Sequence, residues 1–542
     1  MEGALVRHGL VGLLAVVSTV AAVLSTTVVP ASAERTVTAP EPQVVGLTVA
    51  DLRTMLDEGT VTSAQLVDAY LRRIDAYDRD RAGRPGLRAV LTVAPAVRAE
   101  ARRLDAERAR GHVRGPLHGI PVVVKDNIDT RDLPTTSGSL ALRGLRAPDD
   151  ATQVARLRDA GAIVLAKTNL HEYAMSVYTV SSLGGQTRNP YDPSRHPGGS
   201  SGGTAAAVAA SFAPAGLGTD TCGSVRIPAA HNNLVGVRPT LGLSSRDGVA
   251  PLAGTQDTVG PLTMSVEDAA LLLDATAGHD PADPVTEAAI GRVPGSYTSE
   301  LRREALEGAR LGVVTDYFDT EGRAADTSAL VRAAVADMRA LGAEVVELGP
   351  RPELMDAADR ANRVRHEFER DFDAYLAESA RGAPRRLAHL TEPRDELTLA
   401  DIVASGEVTP SVLDTLRNWV GSPSLPNPEY EEALRQRDRL RDLLTELLAT
   451  HDLDALVYPS ISEPPTPIGV PQSYRNCRLA AFSGFPAVSV PAGFTSDGLP
   501  VGVELLGEPF AEPALLGFAY AYEQGTGHRV PPEGTPPLPT SG

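Results

Sequence analysis

The feature that most constrains this chain is a glycine- and serine-rich stretch that continues directly into a run of alanines. It reads Gly-Gly-Ser-Ser-Gly-Gly-Thr over residues 198–204 and Ala-Ala-Ala-Val-Ala-Ala over residues 205–210. Glycine permits positive φ and close backbone approach, whereas alanine favours helix. The pattern therefore predicts a tight loop at a helix N-terminus, where free N–H groups and partial positive charge favour anions.

Two other interpretations of this loop are weaker. A flexible linker would not run into an apolar helix, and no domain boundary is visible around the loop. A phosphate-binding loop would end in Gly-Lys-Ser or Gly-Lys-Thr, and this ending is missing. We therefore expect the loop to belong to a functional site.

A second turn follows soon after, with the sequence Gly-Thr-Asp-Thr-Cys-Gly-Ser-Val-Arg-Ile-Pro over residues 218–228. A serine after a tight turn can present its hydroxyl, while the N–H groups of the turn converge on one point and can form an oxyanion hole. The chain has no Gly-x-Ser-x-Gly elbow, and His231 has no evident role as a base. A serine nucleophile at this turn therefore needs another base, and lysine-dependent variants exist.

Lys125 is the candidate base, because it ends the β-branched run 120–124, which we interpret as a buried strand. Only Lys125 and Lys167 are lysines among the 51 basic residues of the chain. A site that needs a neutral amine cannot use arginine, because the guanidinium keeps its proton. The alternative interpretation of Lys125 is a surface residue that closes a strand.

Together these blocks resemble the amidase-signature family. The resemblance rests on the 119–127 segment, the glycine–serine loop and the 218–230 turn, with further matches at 235–240, 257–261 and 484–502. It covers roughly residues 45–525 and is weakest over 281–453. The resemblance implies a Ser–cis-Ser–Lys triad, in which Ser224 is the nucleophile, Ser200 the bridging hydroxyl after a cis peptide bond, and Lys125 the neutral base.

The resemblance also implies roles for neighbouring residues. The N–H groups of Thr221, Cys222, Gly223 and Ser224 would hold the oxyanion, and the supporting residues would be Ser201, Asp220 and Arg226. The family usually has glycine where Cys222 stands, and we expect the cysteine side chain to narrow the site rather than to strain the backbone. Lys167 matches another block of the family, and we expect it to be structural. Whether Cys222 and Cys477 form a disulfide stays open at this point.

Alternating helical and strand-like patterns predict an α/β fold, and the resemblance implies a large mixed β-sheet covered by helices on both faces. We expect one catalytic core with a helical variable region. Residues 1–33 have the basic start, apolar stretch and Ala-x-Ala end of a secretory signal peptide cut after Ala33, although an uncleaved anchor is the alternative. The further predicted segments are a flexible leader over 34–46, an amidase domain over 47–530 with its variable region at 281–453, and a disordered tail over 531–542.

Formal net charge is −18, and no basic stripe occurs, which disfavours nucleic acid and anionic membranes as partners. No spacing suggests a metal site, and we expect no cofactor. We expect a secreted amidase, a monomer or homodimer without stable membrane association, acting on small amides or peptide C-terminal amides. The alternatives are the amidase subunit of a tRNA-dependent amidotransferase, a fatty-amide or aryl-acylamide hydrolase, and an inactive binding protein on the same scaffold.

Overall fold

A mixed eleven-stranded sheet organises the chain in the computed structural model, which describes residues 42–379 and 397–539. The strand order across this sheet is β1-β3-β2-β6-β8-β7-β12-β13-β11-β9-β10, and β4 and β5 form a separate hairpin. The strands are β1 (Val90–Val93), β2 (Pro121–Lys125), β3 (Ile163–Thr168), β4 (Val180–Ser181), β5 (Gly185–Gln186), β6 (Ala215–Asp220), β7 (Val235–Arg238), β8 (Thr258–Thr263), β9 (Arg310–Val314), β10 (Glu344–Leu348), β11 (Ala455–Pro459), β12 (Ala487–Phe494) and β13 (Pro500–Leu506).

Helices pack around this sheet, and the predicted mixed α/β fold class is confirmed. The helices within the described residues are α1 (Val49–Asp57), α2 (Ser63–Tyr77), α3 (Val97–Ala109), α4 (Thr152–Asp159), α5 (Gly202–Ala209), α6 (Arg226–His231), α7 (Val266–Thr276), α8 (Gly322–Ala340), α9 (Pro352–Arg360), α10 (Val364–Ser379), α11 (Leu399–Ser405), α12 (Pro410–Trp419), α13 (Pro428–Thr450), α14 (Arg478–Ser483) and α15 (Glu512–Thr526).

The parallel strands β3, β2 and β6 carry the catalytic half of the sheet. Val122, Val123 and Val124 of β2 are fully buried, as expected for a strand covered on both faces. Val124 lies opposite Leu217 of β6 in the parallel register. The ends of β2 and β6 therefore lie side by side at one edge, and Lys125 lies at the end of β2.

Local signals located the first helices to within a residue. Thr48 caps α1 as predicted: its side chain accepts from the Asp51 N–H, and Asp51 reciprocates. The predicted cap Ser63 is off by one residue, because Thr62 caps α2 and its side chain accepts from the Gln65 N–H. Ser63 is instead buried, and its N–H donates to Asp105 at 2.7 Å.

The region 281–453 contributes both to the sheet and to the surroundings of the site. Its strands β9 and β10 extend the sheet at the edge opposite β1, joined by α8. Its helices α10 and α12 pack together through Phe368 and Trp419, whose rings lie 5.5 Å apart. The sequence had left open whether this region is scaffold or a cover over the site, and it serves as both.

The prediction of a disordered tail over 531–542 is wrong for the described residues 531–539. Thr535 is buried, and its carbonyl accepts from Arg73 Nη2 at 2.7 Å. The Pro536 carbonyl accepts from Arg73 Nη1 at 2.9 Å. Proline lacks an N–H, but its carbonyl still accepts, so a proline-rich segment can be held by one buried arginine.

The predicted signal peptide lies outside the described residues, as does most of the predicted leader. Val44, at the described end of the leader, is buried. No helix within residues 42–379 and 397–539 combines the length and apolar character needed to cross a membrane.

Candidate active site

Lys125 lies at the centre of a buried hydrogen-bond cluster. Its Nζ is 2.7 Å from Ser200 Oγ, 2.7 Å from Thr219 Oγ1 and 3.3 Å from the Thr219 carbonyl oxygen. The side chain is 0% exposed. The structure therefore brings together Lys125 and Ser200, which the sequence predicts as catalytic partners.

The environment of Lys125 favours its neutral form. Burial lowers the pKa of Lys125 from 10.5 to about 7, although Asp257 and Asp220 act in the opposite direction. An ammonium loses hydration when it is buried, and a neutral amine loses less. A substantial fraction of this amine is therefore free to accept a proton near neutral pH.

The glycine–serine loop holds Ser200 against this amine. The peptide bond between Gly199 and Ser200 is cis. Gly198 has φ +76°, and a Cβ on it would lie 2.9 Å from the Pro228 backbone, so the loop requires glycine there. Ser200 and Ser201 are both fully buried just ahead of α5, as the loop-then-helix pattern predicts.

Ser201 fastens the loop to the turn that carries Ser224. Its N–H donates to the Ser224 carbonyl at 3.1 Å, and its hydroxyl donates to the Thr219 carbonyl at 3.2 Å. Ser224 is 5% exposed and lies on the wall of a pocket. The two serines of the predicted triad thus belong to adjacent, mutually hydrogen-bonded segments.

The N–H groups of the turn divide into two sets. The Gly223 N–H donates to Asp220 Oδ1 at 2.8 Å. Within the described residues, the N–H groups of Thr221, Cys222 and Ser224 donate to no acceptor. Gly223, with φ +83°, therefore shapes the turn, and three of the four predicted oxyanion donors remain available.

Asp220 organises this turn from beneath. Its carboxylate accepts from Arg226 Nε at 3.1 Å and from Arg238 Nη1 at 2.9 Å, and all three side chains are fully buried. Burial alone would raise the pKa of Asp220, but Arg226 and Arg238 outweigh it and hold the pKa below its ordinary value. Asp220 and Arg226 therefore lie where the sequence expects supporting residues.

Several contributors escaped the sequence reasoning. Thr219 accepts at its Oγ1 from Asn127 Nδ2 at 3.1 Å while contacting Lys125, and the Thr221 hydroxyl donates to buried Asp257. Arg238 also donates to the Gln256 carbonyl at 2.7 Å. These residues lie inside or beside the recognised motifs, but nothing in the motifs indicates which groups the side chains contact.

Cys222 and Cys477 form a disulfide, with Cα atoms 5.1 Å apart. Their wide separation in the sequence had given no indication of this pairing. Cys222 is absent from the residues with positive φ in the described chain, so cysteine replaces the family's usual glycine without strain from the left-handed region.

A pocket of about 440 Å³ opens onto Ser224. Its walls combine the turn with residues from the variable region and from the segment around α14. The lining residues are Ala174, Met175, Ser176, Val177, Thr221, Cys222, Ser224, Leu252, Asn362, Val364, Arg365, Trp419, Tyr474, Arg478 and Phe482. Within the part of the chain that the structure describes, no cluster of three or more His, Cys, Asp or Glu residues is disposed to hold a metal ion.

Lys167 lies apart from this cluster, as a structural residue would. Its Nζ pairs with Asp126 Oδ1 at 3.2 Å and donates to Thr135 Oγ1 at 2.9 Å. Both members of the ion pair are buried. Of the two lysines in the chain, only Lys125 faces a catalytic serine.

The arrangement is suited to acyl transfer. A neutral amine can take a proton from a neighbouring hydroxyl, and unoccupied N–H groups beside Ser224 can stabilise negative charge on a carbonyl oxygen. These are the parts that hydrolysis of an amide through an acyl-enzyme requires.

Comparison with known proteins agrees with this geometry. The Amidase family model matches residues 65–516. The native peptide amidase of Stenotrophomonas maltophilia is 39% identical, with a TM-score of 0.78 over 90% of this chain and 98% of that one. A structure of the peptide amidase PAM with the competitive inhibitor chymostatin gives 39% identity and a TM-score of 0.78, over 90% of this chain and 99% of that one.

A subunit of the glutamyl-tRNA(Gln) amidotransferase of Moorella thermoacetica is 37% identical over 510 residues, which cover 90% of this chain and 98% of the relative. The match of the family model to most of the chain confirms the resemblance seen in the sequence. The chain belongs to the amidase family, and it is an enzyme that acts on amide C–N bonds.

Proposed function

We propose that this protein is an exported amidase that hydrolyses peptide C-terminal amides or small carboxamides, with Ser224, Ser200 and Lys125 as its catalytic triad. The observation that carries the proposal is the 2.7 Å contact between buried Lys125 Nζ and Ser200 Oγ. This contact lies beside a turn whose free N–H groups border a pocket large enough for an acyl group.

The reaction begins when the Ser224 hydroxyl attacks the amide carbonyl carbon. Its proton passes through the Ser200 hydroxyl to the neutral Lys125 amine, while the N–H groups of Thr221, Cys222 and Ser224 stabilise the oxyanion. Collapse of this intermediate breaks the C–N bond, and the proton returns from Lys125 to the departing nitrogen. Water then attacks the acyl-enzyme by the same proton route, which releases the carboxylic acid and restores Ser224.

The pocket supports an acyl group with apolar character. Leu252, Trp419 and Phe482 contribute apolar surface to its lining. The two arginines of the lining have acidic partners: Arg365 pairs with Glu429, and Arg478 pairs with Asp359. Their charges are therefore partly compensated, and no uncompensated cation demands an anionic substrate. The likeness to a peptide amidase supports the same substrate class.

Two independent features support export. The first 33 residues have the pattern of a signal peptide. The Cys222–Cys477 disulfide belongs to a class of bond that persists mainly in oxidising compartments. Expression of the full chain in a secreting host, followed by N-terminal sequencing of the protein in the medium, tests this point. A mature end at Glu34 supports export with cleavage, and retention of the whole chain inside the cell contradicts it.

The activity test uses the mature chain, from Glu34 onwards, with peptide amides, amino-acid amides, fatty amides and anilides. We expect release of ammonia from peptide amides without any added partner, and competitive inhibition by chymostatin. Trp419, the chain's one tryptophan, lines the pocket, so quenching of its fluorescence reports binding separately from turnover. Turnover of fatty amides alone would overturn the proposed substrate class.

A matched pair of variants tests the nucleophile. Ser224→Ala should abolish ammonia release and labelling by a fluorophosphonate, whereas Ser176→Ala, in the same pocket, should retain both. Full activity of the Ser224 variant would refute the assignment.

The likeness to an amidotransferase component supports a second candidate, in which the chain works within a larger assembly. That function predicts no ammonia release from peptide amides by the isolated chain and a requirement for a partner protein. Turnover by the purified chain alone therefore separates the two candidates.

A further inference from the structure

The disulfide connects two different walls of the active-site pocket. Cys222 belongs to the turn 221–224, next to the nucleophile, and Cys477 ends the 3-10 turn Arg475–Cys477 that leads into α14. Tyr474, Arg478 and Phe482, on either side of Cys477, line the same pocket as Cys222. The covalent bond therefore spans the site rather than a distant part of the fold.

Hydrogen bonds hold every residue of the turn except Cys222. The Thr221 hydroxyl donates to Asp257, the Gly223 N–H donates to Asp220, and the Ser224 carbonyl accepts from Ser201. Within the described residues, neither the N–H nor the carbonyl of Cys222 has a hydrogen-bond partner. The attachment of Cys222 to its surroundings is therefore its side chain, bonded to Cys477.

The other end of this bond is firmly placed. Cys477 is 1% exposed, and its carbonyl accepts from Arg226 Nη2 at 3.3 Å. Arg226 also pairs with Asp220 beneath the turn. The neighbouring Asn476 amide donates to the Pro459 carbonyl at 2.8 Å. Cys477 is thus a fixed point to which the Cys222 peptide is tied.

We propose that the Cys222–Cys477 disulfide positions the oxyanion turn, by holding the Cys222 peptide with its N–H free for the substrate's oxyanion. The inference rests on the proposed function and adds Cys477 to it as a positioning residue. The enzyme then reaches its full rate only with this bond formed, and a dithiol reductant lowers the rate reversibly.

The redox step is an ordinary thiol–disulfide exchange. A dithiol such as dithiothreitol gives two electrons and two protons to the disulfide, which becomes the thiols of Cys222 and Cys477, while the reductant closes into its own cyclic disulfide. Cys222 lines the pocket, so a small reductant reaches its sulfur from there. Oxidised glutathione reverses the exchange.

The test compares Cys477→Ala and the double variant Cys222→Ala/Cys477→Ala with the wild type. We expect kcat on an amide substrate, and the rate of fluorophosphonate labelling of Ser224, to fall at least about tenfold, since removal of one oxyanion donor costs roughly 10²–10³ in kcat. We expect KM to change by less than about threefold and circular dichroism at the assay temperature to stay unchanged. A role in stability alone would not produce this split between kcat and KM.

Reduction of the wild type provides the second arm. With two thiols counted per chain, its kcat should match that of the double variant, and it should recover on reoxidation. Dithiothreitol should not affect the double variant, which has no cysteine.

Wild-type kcat in the double variant, or in the thiol-counted reduced enzyme, would overturn the proposal. So would a loss of activity that merely follows a loss of folded signal. The Ser224→Ala variant, assayed alongside, keeps the two levels separate. If it is active, the proposed function fails; if it is inactive and the cysteine variants have full activity, only the positioning role fails.

Discussion

The pH dependence of activity should report the titration of Lys125. Because burial lowers its pKa to about 7, the neutral fraction is about one in eleven at pH 6 and about ten in eleven at pH 8. Catalysis by the neutral amine therefore predicts a roughly tenfold rise in kcat/KM between these pH values and a plateau above.

Lys125→Met removes the base while largely preserving the volume of the side chain. We expect kcat/KM to fall by about 10²–10⁴, the usual contribution of a general base, and the rise between pH 6 and 8 to disappear. The assay is ammonia release from a peptide amide at saturating and at low substrate concentrations across this range.

The same variant should be more stable than the wild type at low pH. A lysine with a pKa of 10.5 unfolded and about 7 folded costs about 5 kcal/mol, at about 1.4 kcal/mol per pKa unit. The cost is present in full below pH 7 and fades as the pH rises from 7 towards 10.5. Methionine removes it but leaves the Ser200 and Thr219 hydroxyls without their partner, at about 1–3 kcal/mol. The net gain in unfolding free energy at pH 6, measured by urea denaturation, is about 2–4 kcal/mol.

Lys167→Met is the matched control at the other buried lysine. It leaves Asp126 without its partner at 3.2 Å, so unfolding free energy should fall by about 3–5 kcal/mol while the pH profile of activity keeps its midpoint. A flat wild-type profile between pH 6 and 8, or a Lys125→Met variant with near wild-type activity, would refute the assignment of the base.

Three more predictions concern the surroundings of the triad. Thr219→Val removes an oxygen 2.7 Å from Lys125 Nζ; kcat/KM should fall about tenfold and the pH midpoint should move lower, because the ammonium loses an acceptor, and an unmoved midpoint would contradict this role. Asp220→Asn leaves Arg226 and Arg238 without their shared carboxylate; urea denaturation should show a loss of about 3–5 kcal/mol, and a loss below about 1 kcal/mol would exclude the ion cluster as a support. Lys125→Arg should be nearly inactive at every pH, because guanidinium keeps its proton, and turnover by this variant would remove lysine from the base role.

The residue types of the site could be predicted because each answers a local or chemical requirement. The loop needs glycine at position 198 for its positive φ, and the turn needs it at 223. Lys125 stood out because arginine cannot supply a neutral amine. The buried strand that presents it has a β-branched composition legible without any structure.

Other predictions failed or stayed open because they depend on long-range contacts. The proline content of 531–539 predicted disorder, but buried Arg73 holds that segment. The four turn N–H groups looked equivalent, but Asp220 takes the one from Gly223. The predicted signal peptide at 1–33 lies outside the described residues and stays a prediction.

By itself, the sequence determined the α/β class, the catalytic residue types and the loops that present them, because backbone dihedrals and side-chain chemistry are local properties. The tertiary structure alone decided that Thr219 contacts Lys125, that Asp220 lies between two arginines, and that Cys222 meets Cys477. Residues distant in sequence become neighbours only when the sheet and its helices pack. Burial by that same packing lowers the pKa of Lys125.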